Sequence, residues 1–343
     1  MISIDSVKTA KDVEAFCSHI GKDILLVQGA GGNVSWKDGN ILWIKASGKW
    51  LSEAEKEEIF IPVDLVHLKN EISKDNFSAT PIKKDNTNLR PSIETMLHAL
   101  MPHKIVIHLH PVEILAYLVR KKPIKNLNEL IKSSIKWTVV EYFQPGAALA
   151  KATSEQLDLY PESEVIFLKN HGVIIGGENI KKIQDILESL LLIFRNDILQ
   201  TDQTPDQKIF YKNFNIDGFS ISNQKEINQL AKDHRLSKRL QSEWVLYPDH
   251  AVFLGARAIF INNEESFKTI EACLNKAPYI FFIGYGVMEN NSITKAQKIQ
   301  LLCYYNVLIR QSENEQLSPL EEKNVIALLN WDAEEYRRII SSK

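Results

Sequence analysis

The sequence predicts an α/β fold in two parts, and two features of the chain support this. Short apolar runs of strand length alternate with longer segments in which apolar residues recur at helical spacing. A polar stretch with few large aliphatic residues, 199–223, interrupts that alternation. We therefore expect a first domain at 1–200, a linker at 201–223 and a smaller α/β lobe at 224–343.

The first part begins with an amphipathic helix at 8–20, where Val13, Phe16, Cys17 and Ile20 share one face. A helix that contains Glu94 precedes the strand 105–108. The remaining pattern predicts strands at 24–28, 40–46, 59–65, 135–142, 165–169 and 173–177, a helical turn at 52–58, and helices at 112–120, 147–157 and 178–198.

The second part predicts a helix at 224–241, two strands within 244–261 and a helix at 264–275. Residues 277–310 then repeat the order strand, turn, strand, long helix that 163–195 show. Aligned through the turn, Tyr285-Gly286-Val287 falls on His171-Gly172-Val173. We interpret the lobe as a degenerate partial repeat without metal ligands at its turn; a chance likeness of βα segments is the alternative.

Composition excludes several classes of function. The chain has 343 residues, 44% of them hydrophobic, and a net charge of −2, which gives no electrostatic reason to bind nucleic acid or an anionic membrane. Its apolar runs are shorter than the ~20 residues that span a bilayer, and its beginning lacks the apolar core of an export signal. The three cysteines show no CxxC spacing. We expect a cytoplasmic protein without disulfides.

A metal site is predicted where the strand 105–108 ends in His108-Leu109-His110. Residues two apart on a strand project to the same side, so His108 and His110 can face one divalent ion. His171 lies at a turn between two strands, from which a third imidazole can reach the ion, and Glu94 can approach from its helix. Histidines that only form hydrogen bonds are the alternative.

Polar groups that suit an anion lie at three turns. Gly29, Gly31 and Gly32 precede Asn33, and Ser47-Gly48 ends the strand after it. Glycine-rich backbone lets amide N–H groups converge on an anion, although glycines of an ordinary hairpin turn would look the same. Arg90 lies beside Ser92 and can grip a phosphate or a carboxylate, with a solvated surface arginine as the alternative.

At these residues the sequence resembles a known family. QGAGGNVS, IKASG, RPSIETMLHALMPHK, HLHP and NHG together are similar to motifs of the class II aldolase/adducin family, metal-dependent lyases of sugar phosphates. The variants look most like the aldolase part of bifunctional rhamnulose-1-phosphate aldolase/alcohol dehydrogenases. The likeness continues through YPDHAVFLGARAIFI and IGYG. We expect the reductase domain of those fusions to be absent.

The resemblance implies an α/β/α sandwich around a mostly antiparallel sheet, followed by the smaller lobe. It implies a homo-oligomer such as a tetramer. It implies Zn²⁺, or another divalent metal, held by His108, His110 and His171, with Glu94 as the acid/base. It also implies a phosphate pocket made by Asn33, Ser47, Gly48 and Ser92.

Two departures from the family pattern concern this pocket and the second proton donor. Ile93 stands where family aldolases often have a second serine, and Ala30 stands where they often have a threonine. No tyrosine matches the family's catalytic one, although Tyr142 lies near that region.

The function that we expect is therefore a zinc-dependent aldolase, which cleaves or forms a C–C bond in a ketose phosphate such as a deoxy-sugar phosphate through a metal-bound enediolate. The alternatives are an epimerase, dehydratase or decarboxylase on the same kind of substrate, or a non-catalytic, adducin-like binding protein.

Overall fold

A computed structural model describes residues 4–122, 124–132, 134–201, 216–262 and 277–341. They divide into two compact units, one within Met1–Arg195 together with Asp332–Ser341, the other within Asn196–Trp331. The helices are α1 (Ile4–Ile20), α2 (Leu65–Ser73), α3 (Thr95–Leu100), α4 (Val112–Leu118), α5 (Ile124–Leu130), α6 (Ala147–Leu159), α7 (Ile180–Ile193), α8 (Lys225–Lys232), α9 (His234–Ser242), α10 (Pro248–Leu254), α11 (Lys295–Leu308), α12 (Glu322–Leu329) and α13 (Asp332–Ser341). The strands are β1 (Asn33–Asp38), β2 (Ile41–Lys45), β3 (Phe60–Asp64), β4 (Ile105–Leu109), β5 (Trp137–Val140), β6 (Val165–Leu168), β7 (Gly172–Gly177), β8 (Phe219–Ile221), β9 (Ile259–Ile261), β10 (Tyr279–Phe282) and β11 (Gly286–Asn290).

The first unit is built on a seven-stranded sheet with the order β3-β2-β1-β4-β7-β6-β5. Only β5 and β6 pair in parallel; the other neighbours are antiparallel. Strand β4 lies at the centre of the sheet, where β1 places Asn33 opposite His108. His108 therefore lies at the end of the central strand, opposite the first residue of β1.

Helices cover both faces of this sheet. One apolar core packs residues of α1, α4 and α7, such as Phe16, Leu118 and Ile186, against the first face. A second core packs residues of α2, α3 and α6, such as Leu68 and Met96, against the opposite face. Strand β4 contributes Ile105 and Ile107 to the first core and Val106 to the second, as the alternation of side chains along a strand requires. The predicted sandwich around a mostly antiparallel sheet, followed by a smaller α/β unit, is confirmed.

The predicted strand at 24–28 is wrong, because this segment forms turns. The carboxylate of Asp23 accepts a hydrogen bond from the backbone N–H of Leu25. The backbone carbonyl of Asp23 accepts hydrogen bonds from the backbone N–H groups of Leu26 and Val27. An aspartate that bonds its own following amides favours a turn over an extended strand. The strand of this region, β1, instead begins after the glycines, at Asn33.

The second unit contains a four-stranded sheet with the order β8-β11-β10-β9. Its pairings have the same senses as those of β4-β7-β6-β5: β9 and β10 are parallel, and the other two pairs are antiparallel. Tyr285 donates its backbone N–H to Phe282, just as His171 donates to Leu168. The geometry of the two turns thus corresponds, and the origin of the unit as a degenerate repeat stays a prediction.

Several elements of the second half differ from expectation. The first of the two strands predicted within 244–261 is wrong, because helix α10 begins at Pro248. Proline suits the first position of a helix, where a backbone N–H would have no partner within the helix. The predicted helix 224–241 breaks at Asp233, whose carboxylate caps α9. Strand β8 lies inside the predicted linker, and α13 belongs to the first unit. The predicted helix 264–275 lies outside the described residues.

Two further features bear on the composition argument. Among the helices that the structure describes, none combines the length and the apolar character that a bilayer span requires. Cys17 and Cys303 are buried free thiols, and burial raises the pKa of both, to about 12 for Cys303. Cys273 lies outside the described residues.

Candidate metal centre

Three imidazoles converge at one end of the central strands. His108 lies on β4, His110 directly follows that strand, and His171 lies in the turn between β6 and β7. One ring nitrogen from each residue lies within 4.8 Å of the other two, and all three side chains are buried. The Nε2 atoms of His108 and His110 are 3.0 Å apart. Three imidazoles at this spacing can hold one divalent ion and leave a coordination position open.

The turn that carries His171 has two special backbone positions. Asn170 has a φ of 54°, in the left-handed region that asparagine tolerates better than most residues. A Cβ atom on Gly172 would collide with the carbonyl oxygen of Leu109 and would lie 2.7 Å from Cδ2 of His110. The Asn-His-Gly sequence therefore supplies the bend, the imidazole and the space that the neighbouring imidazole occupies.

His108 is prepared to act as a metal ligand. Its Nδ1 lies 3.2 Å from the carbonyl oxygen of Val173. Because a carbonyl only accepts, Nδ1 carries the proton and Nε2 presents its lone pair to the centre. Burial, followed by the nearby imidazoles of His171 and His110, holds the pKa of His108 well below its usual value. The ring is therefore neutral at pH 7, as a metal ligand must be.

Glu94 faces the three imidazoles from the start of α3. Its two carboxylate oxygens each lie 3.6 Å from a ring nitrogen, Oε2 from Nε2 of His108 and Oε1 from Nε2 of His171. The side-chain amide of Asn33 donates a hydrogen bond of 2.6 Å to Oε2. Four predicted residues thus surround one point, and Asn33 orients the carboxylate among them. This buried donor set fits a divalent ion.

The residues predicted to bind phosphate lie on two adjoining segments. Ala46 and Pro91 form an antiparallel bridge, and Ser47 donates its backbone N–H to the carbonyl of Arg90. These contacts hold the turn at Ser47-Gly48 against the segment that leads into α3. The hydroxyl of Ser92 accepts from the backbone N–H of Glu94 at 3.2 Å. The predicted phosphate-binding residues thus adjoin Glu94 and the metal centre, and phosphate binding there stays a prediction.

Lys45 is a buried cation that the sequence reasoning missed. Its ammonium group donates to the carbonyl oxygen of Ala30 at 3.0 Å and to that of Lys49 at 2.6 Å. It therefore ties the glycine-rich turn to the Ser47-Gly48 turn and places a positive charge between them. A lysine at the end of an apolar strand, directly before a glycine turn, was the available signal.

Two other polar residues near the centre have defined surroundings. His98 is fully buried with Nδ1 2.8 Å from the hydroxyl of Ser35, and burial lowers its pKa to about 3, helped by the charges of Lys37 and Lys45. The hydroxyl of Tyr142 is buried without a hydrogen-bond partner among the described residues. Burial and then the charge of Glu334 raise its pKa to about 12.

Comparison with known proteins identifies the family of this region. A family profile described as "Class II Aldolase and Adducin N-terminal domain" matches residues 12–196, which contain every predicted site residue. The L-fuculose phosphate aldolase of Methanococcus maripaludis is 29% identical over 163 residues, which are 45% of this chain and 77% of that protein. The methylthioribulose-1-phosphate dehydratase of Bos taurus is 28% identical over 189 residues, 49% of this chain and 74% of that protein.

A third relative is much longer than the matched region. The protein of Bacillus subtilis (strain 168) named uncharacterized oxidoreductase YuxG is 28% identical over 175 residues. These residues are 46% of this chain and 25% of that protein, so the match spans a quarter of the relative's length. The names of the three relatives give three different activities. Each alignment covers about half of this chain.

Proposed function

Because this chain belongs to the class II aldolase and adducin family, we propose that it is a zinc-dependent aldolase acting on a ketose phosphate such as a deoxy-sugar phosphate. It would cleave or form the bond between the α and β carbons of that substrate's carbonyl group, so that the β-hydroxyl carbon is released as an aldehyde. The observation that carries the proposal is the single buried cluster of His108, His110, His171 and Glu94. A binding scaffold needs none of these four side chains.

The residues of the cluster have separate chemical tasks. A divalent cation held by the three imidazoles supplies a Lewis acid for the negative charge that develops on a substrate carbonyl oxygen. Glu94 accepts and returns the proton of the carbon next to that carbonyl, the task of a general base. Asn33 orients the Glu94 carboxylate through its amide. All four side chains of the cluster are buried.

A dehydratase is the second candidate. The similarity to a methylthioribulose-1-phosphate dehydratase favours it, since removal of a proton next to a carbonyl can lead to loss of water as well as to C–C chemistry. The same proton transfer also serves an epimerase, and a decarboxylase would use the same Lewis acid. The Lewis acid and the base are common to these reactions, so the products must distinguish them.

The test is product analysis with the purified, metal-loaded protein. We would incubate it with ketose 1-phosphates, including fuculose 1-phosphate and methylthioribulose 1-phosphate, and assay for a released aldehyde with an aldehyde reductase and NADH. Aldehyde release supports the aldolase. Loss of water, loss of CO₂ or an epimer would overturn it in favour of the corresponding reaction. Absence of any turnover in protein that contains metal would favour the adducin-like alternative.

We propose zinc as the metal because three imidazoles and an open position are typical of catalytic zinc sites. Elemental analysis of the protein as isolated would identify the ion, and a different metal would correct this part alone.

A homo-oligomer such as a tetramer and a cytoplasmic location complete the proposal. Sedimentation analysis and cell fractionation would test these two statements.

A further inference from the structure

Helix α13 packs on the two segments that carry the predicted anion pocket. The indole N–H of Trp50 donates to the carbonyl oxygen of Ser341 at 3.3 Å. A Cβ atom on Gly48 would lie 2.7 Å from Cβ of Ile340 and 3.2 Å from the carbonyl oxygen of Arg337. The missing side chain of Gly48 is therefore what lets the helix approach this turn.

The same helix face reaches Arg90. The guanidinium carbon of Arg90 lies 4.3 Å from the centre of the Tyr336 ring, a cation–π contact. Tyr336 and Ile340 are four residues apart in α13, as are Arg337 and Ser341, so all four project toward one side of the helix. One face of α13 thus contacts both edges of the pocket.

The first turn of α13 contains an ion pair within the helix. Glu334 is buried, and its carboxylate lies 2.7 Å from Nε of Arg337, one turn further along. The Glu334 charge also contributes to the raised pKa of Tyr142, which lies beyond the end of β5. The contacts of α13 are with the residues that follow β2 and with Arg90, at the end of the sheet where the imidazoles converge.

Arg90 is exposed and forms no ion pair with any described residue, so its guanidinium group can bind an anion. Its side chain is largely exposed, and no carboxylate pairs with it in the part of the chain that the structure describes. A free arginine on a surface samples many rotamers, and ordering it costs entropy when a ligand binds. The contact with the Tyr336 ring restrains the Arg90 side chain, and a guanidinium has five N–H donors with which it can bind oxygen atoms.

We propose that α13 is a wall of the substrate pocket and that Tyr336 is a positioning residue, which holds Arg90 ready for the phosphate group of the substrate. This inference rests on the proposed function for the identity of the anion. It adds a pocket element from a part of the chain far from the metal ligands. A contact that merely anchors the helix is the competing explanation.

The test compares phosphate binding among three variants of the full chain. Inorganic phosphate is the probe, titrated by calorimetry into protein whose metal content has been measured. We expect Tyr336→Ala to weaken phosphate binding about twofold to fivefold, the range of an exposed cation–π contact. Tyr336→Phe keeps the ring and should bind like the unaltered protein. Glu335→Ala changes an exposed residue of the same helix and should also leave affinity unchanged.

The outcomes separate this inference from the proposed function. If Tyr336→Ala lowers the melting temperature but binds phosphate normally, the anchoring explanation stands and the positioning role is wrong. If the unaltered protein contains metal but binds no phosphate, the pocket and its wall are wrong and the metal centre is untouched. If it contains no metal yet Tyr336→Ala still weakens phosphate binding, the wall stands and the aldolase proposal does not.

A second measurement needs no variant. Hydrogen–deuterium exchange of residues 332–341 reports how firmly α13 is held. Because phosphate would bind Arg90 while Arg90 stacks on Tyr336, saturating phosphate should slow exchange in this helix. Unchanged or faster exchange at saturation would contradict a wall that closes around the anion.

With a turnover assay, Tyr336→Ala should raise KM and leave kcat nearly unchanged, the signature of lost uniform binding.

Discussion

Glu94 is held at both its backbone and its side chain. The hydroxyl of Ser92 accepts from its backbone N–H, and the amide of Asn33 donates to its carboxylate. These bonds fix a carboxylate at equal distances of 3.6 Å from ring nitrogens of His108 and His171. A base that must take a proton beside a metal requires such a fixed position, because a flexible carboxylate would spend free energy on ordering.

The first prediction concerns Glu94→Gln. The glutamine keeps the size of the side chain and an oxygen for Asn33, so the three imidazoles should keep their metal. It has no carboxylate to accept the substrate proton, and we expect kcat to fall at least ~10²-fold. Turnover and metal content of the same sample check both statements. Glu58→Gln, at an exposed position, is the control; undiminished turnover of Glu94→Gln would remove Glu94 from the mechanism.

At the scale of elements, the turn between β6 and β7 places a ligand through its backbone. Asn170 adopts a left-handed conformation, and Gly172 leaves room for the ring of His110. His171 lies between these two positions and is directed at the centre. The Asn-His-Gly turn therefore assembles the site as much as its imidazole does.

The second prediction is that Gly172→Ala displaces the His110 ring and reduces metal content as severely as His171→Ala. The added methyl group would meet Leu109 backbone and His110 at distances that real Cβ atoms do not show. Elemental analysis after dialysis measures the effect. Gly177→Ala, on the same strand, would meet only side-chain atoms at 3.1 Å or more and should keep its metal. Full metal content in Gly172→Ala would show that the turn relaxes without moving the ligands.

Element boundaries show where local patterns mislead. Residues 24–28 are apolar enough for a strand, yet Asp23 bonds the amides that follow and turns the chain. Residues 244–261 look like two strands, yet Pro248 starts a helix in the first part of this segment. In both cases one residue that fixes the backbone locally outweighs the apolar run.

For the whole molecule, the two units have related sheets with different side chains at the matching turn. Tyr285 occupies the position in its turn that His171 occupies in the first unit, and the backbone hydrogen bonds agree. The two turns therefore share a backbone hydrogen bond, and the second has no imidazole at the position of His171. The second unit also contains a buried histidine, His250, which contacts the rings of Trp244, Tyr247 and Tyr304.

The third prediction is a loss of stability in acid that both units share. Burial lowers the pKa of His98 and of His250 to about 3, whereas an unfolded histidine titrates near ~6.5. Below pH ~6.5 the unfolded chain binds protons that the folded chain refuses, so the free energy of unfolding falls as pH decreases toward 3. Between pH ~7 and ~5 each group should cost about 2 kcal/mol. Urea unfolding at the two pH values measures the sum.

A variant of His250 separates the contribution of this residue to the pH dependence of stability from the effect of metal release in acid. His250→Phe keeps a ring in the aromatic surroundings and removes the titration, so its loss of stability between the two pH values should be about 2 kcal/mol smaller. His19→Gln, at an exposed position, is the control and should follow the unaltered protein. An equal loss in His250→Phe and the unaltered protein would mean that His250 is not buried in the neutral form.

The sequence by itself determined the α/β class, the alternation of elements and the candidate ligands His108, His110 and His171. Spacing along a strand decides which side chains share a face, and a turn sequence decides where the chain bends, so both are local. Only the tertiary structure decided that Lys45 ties two turns together and that α13 packs against the Ser47-Gly48 turn. Trp50 and Ser341 are 291 residues apart, and their hydrogen bond depends on how distant elements bury their surfaces together, which no local pattern encodes.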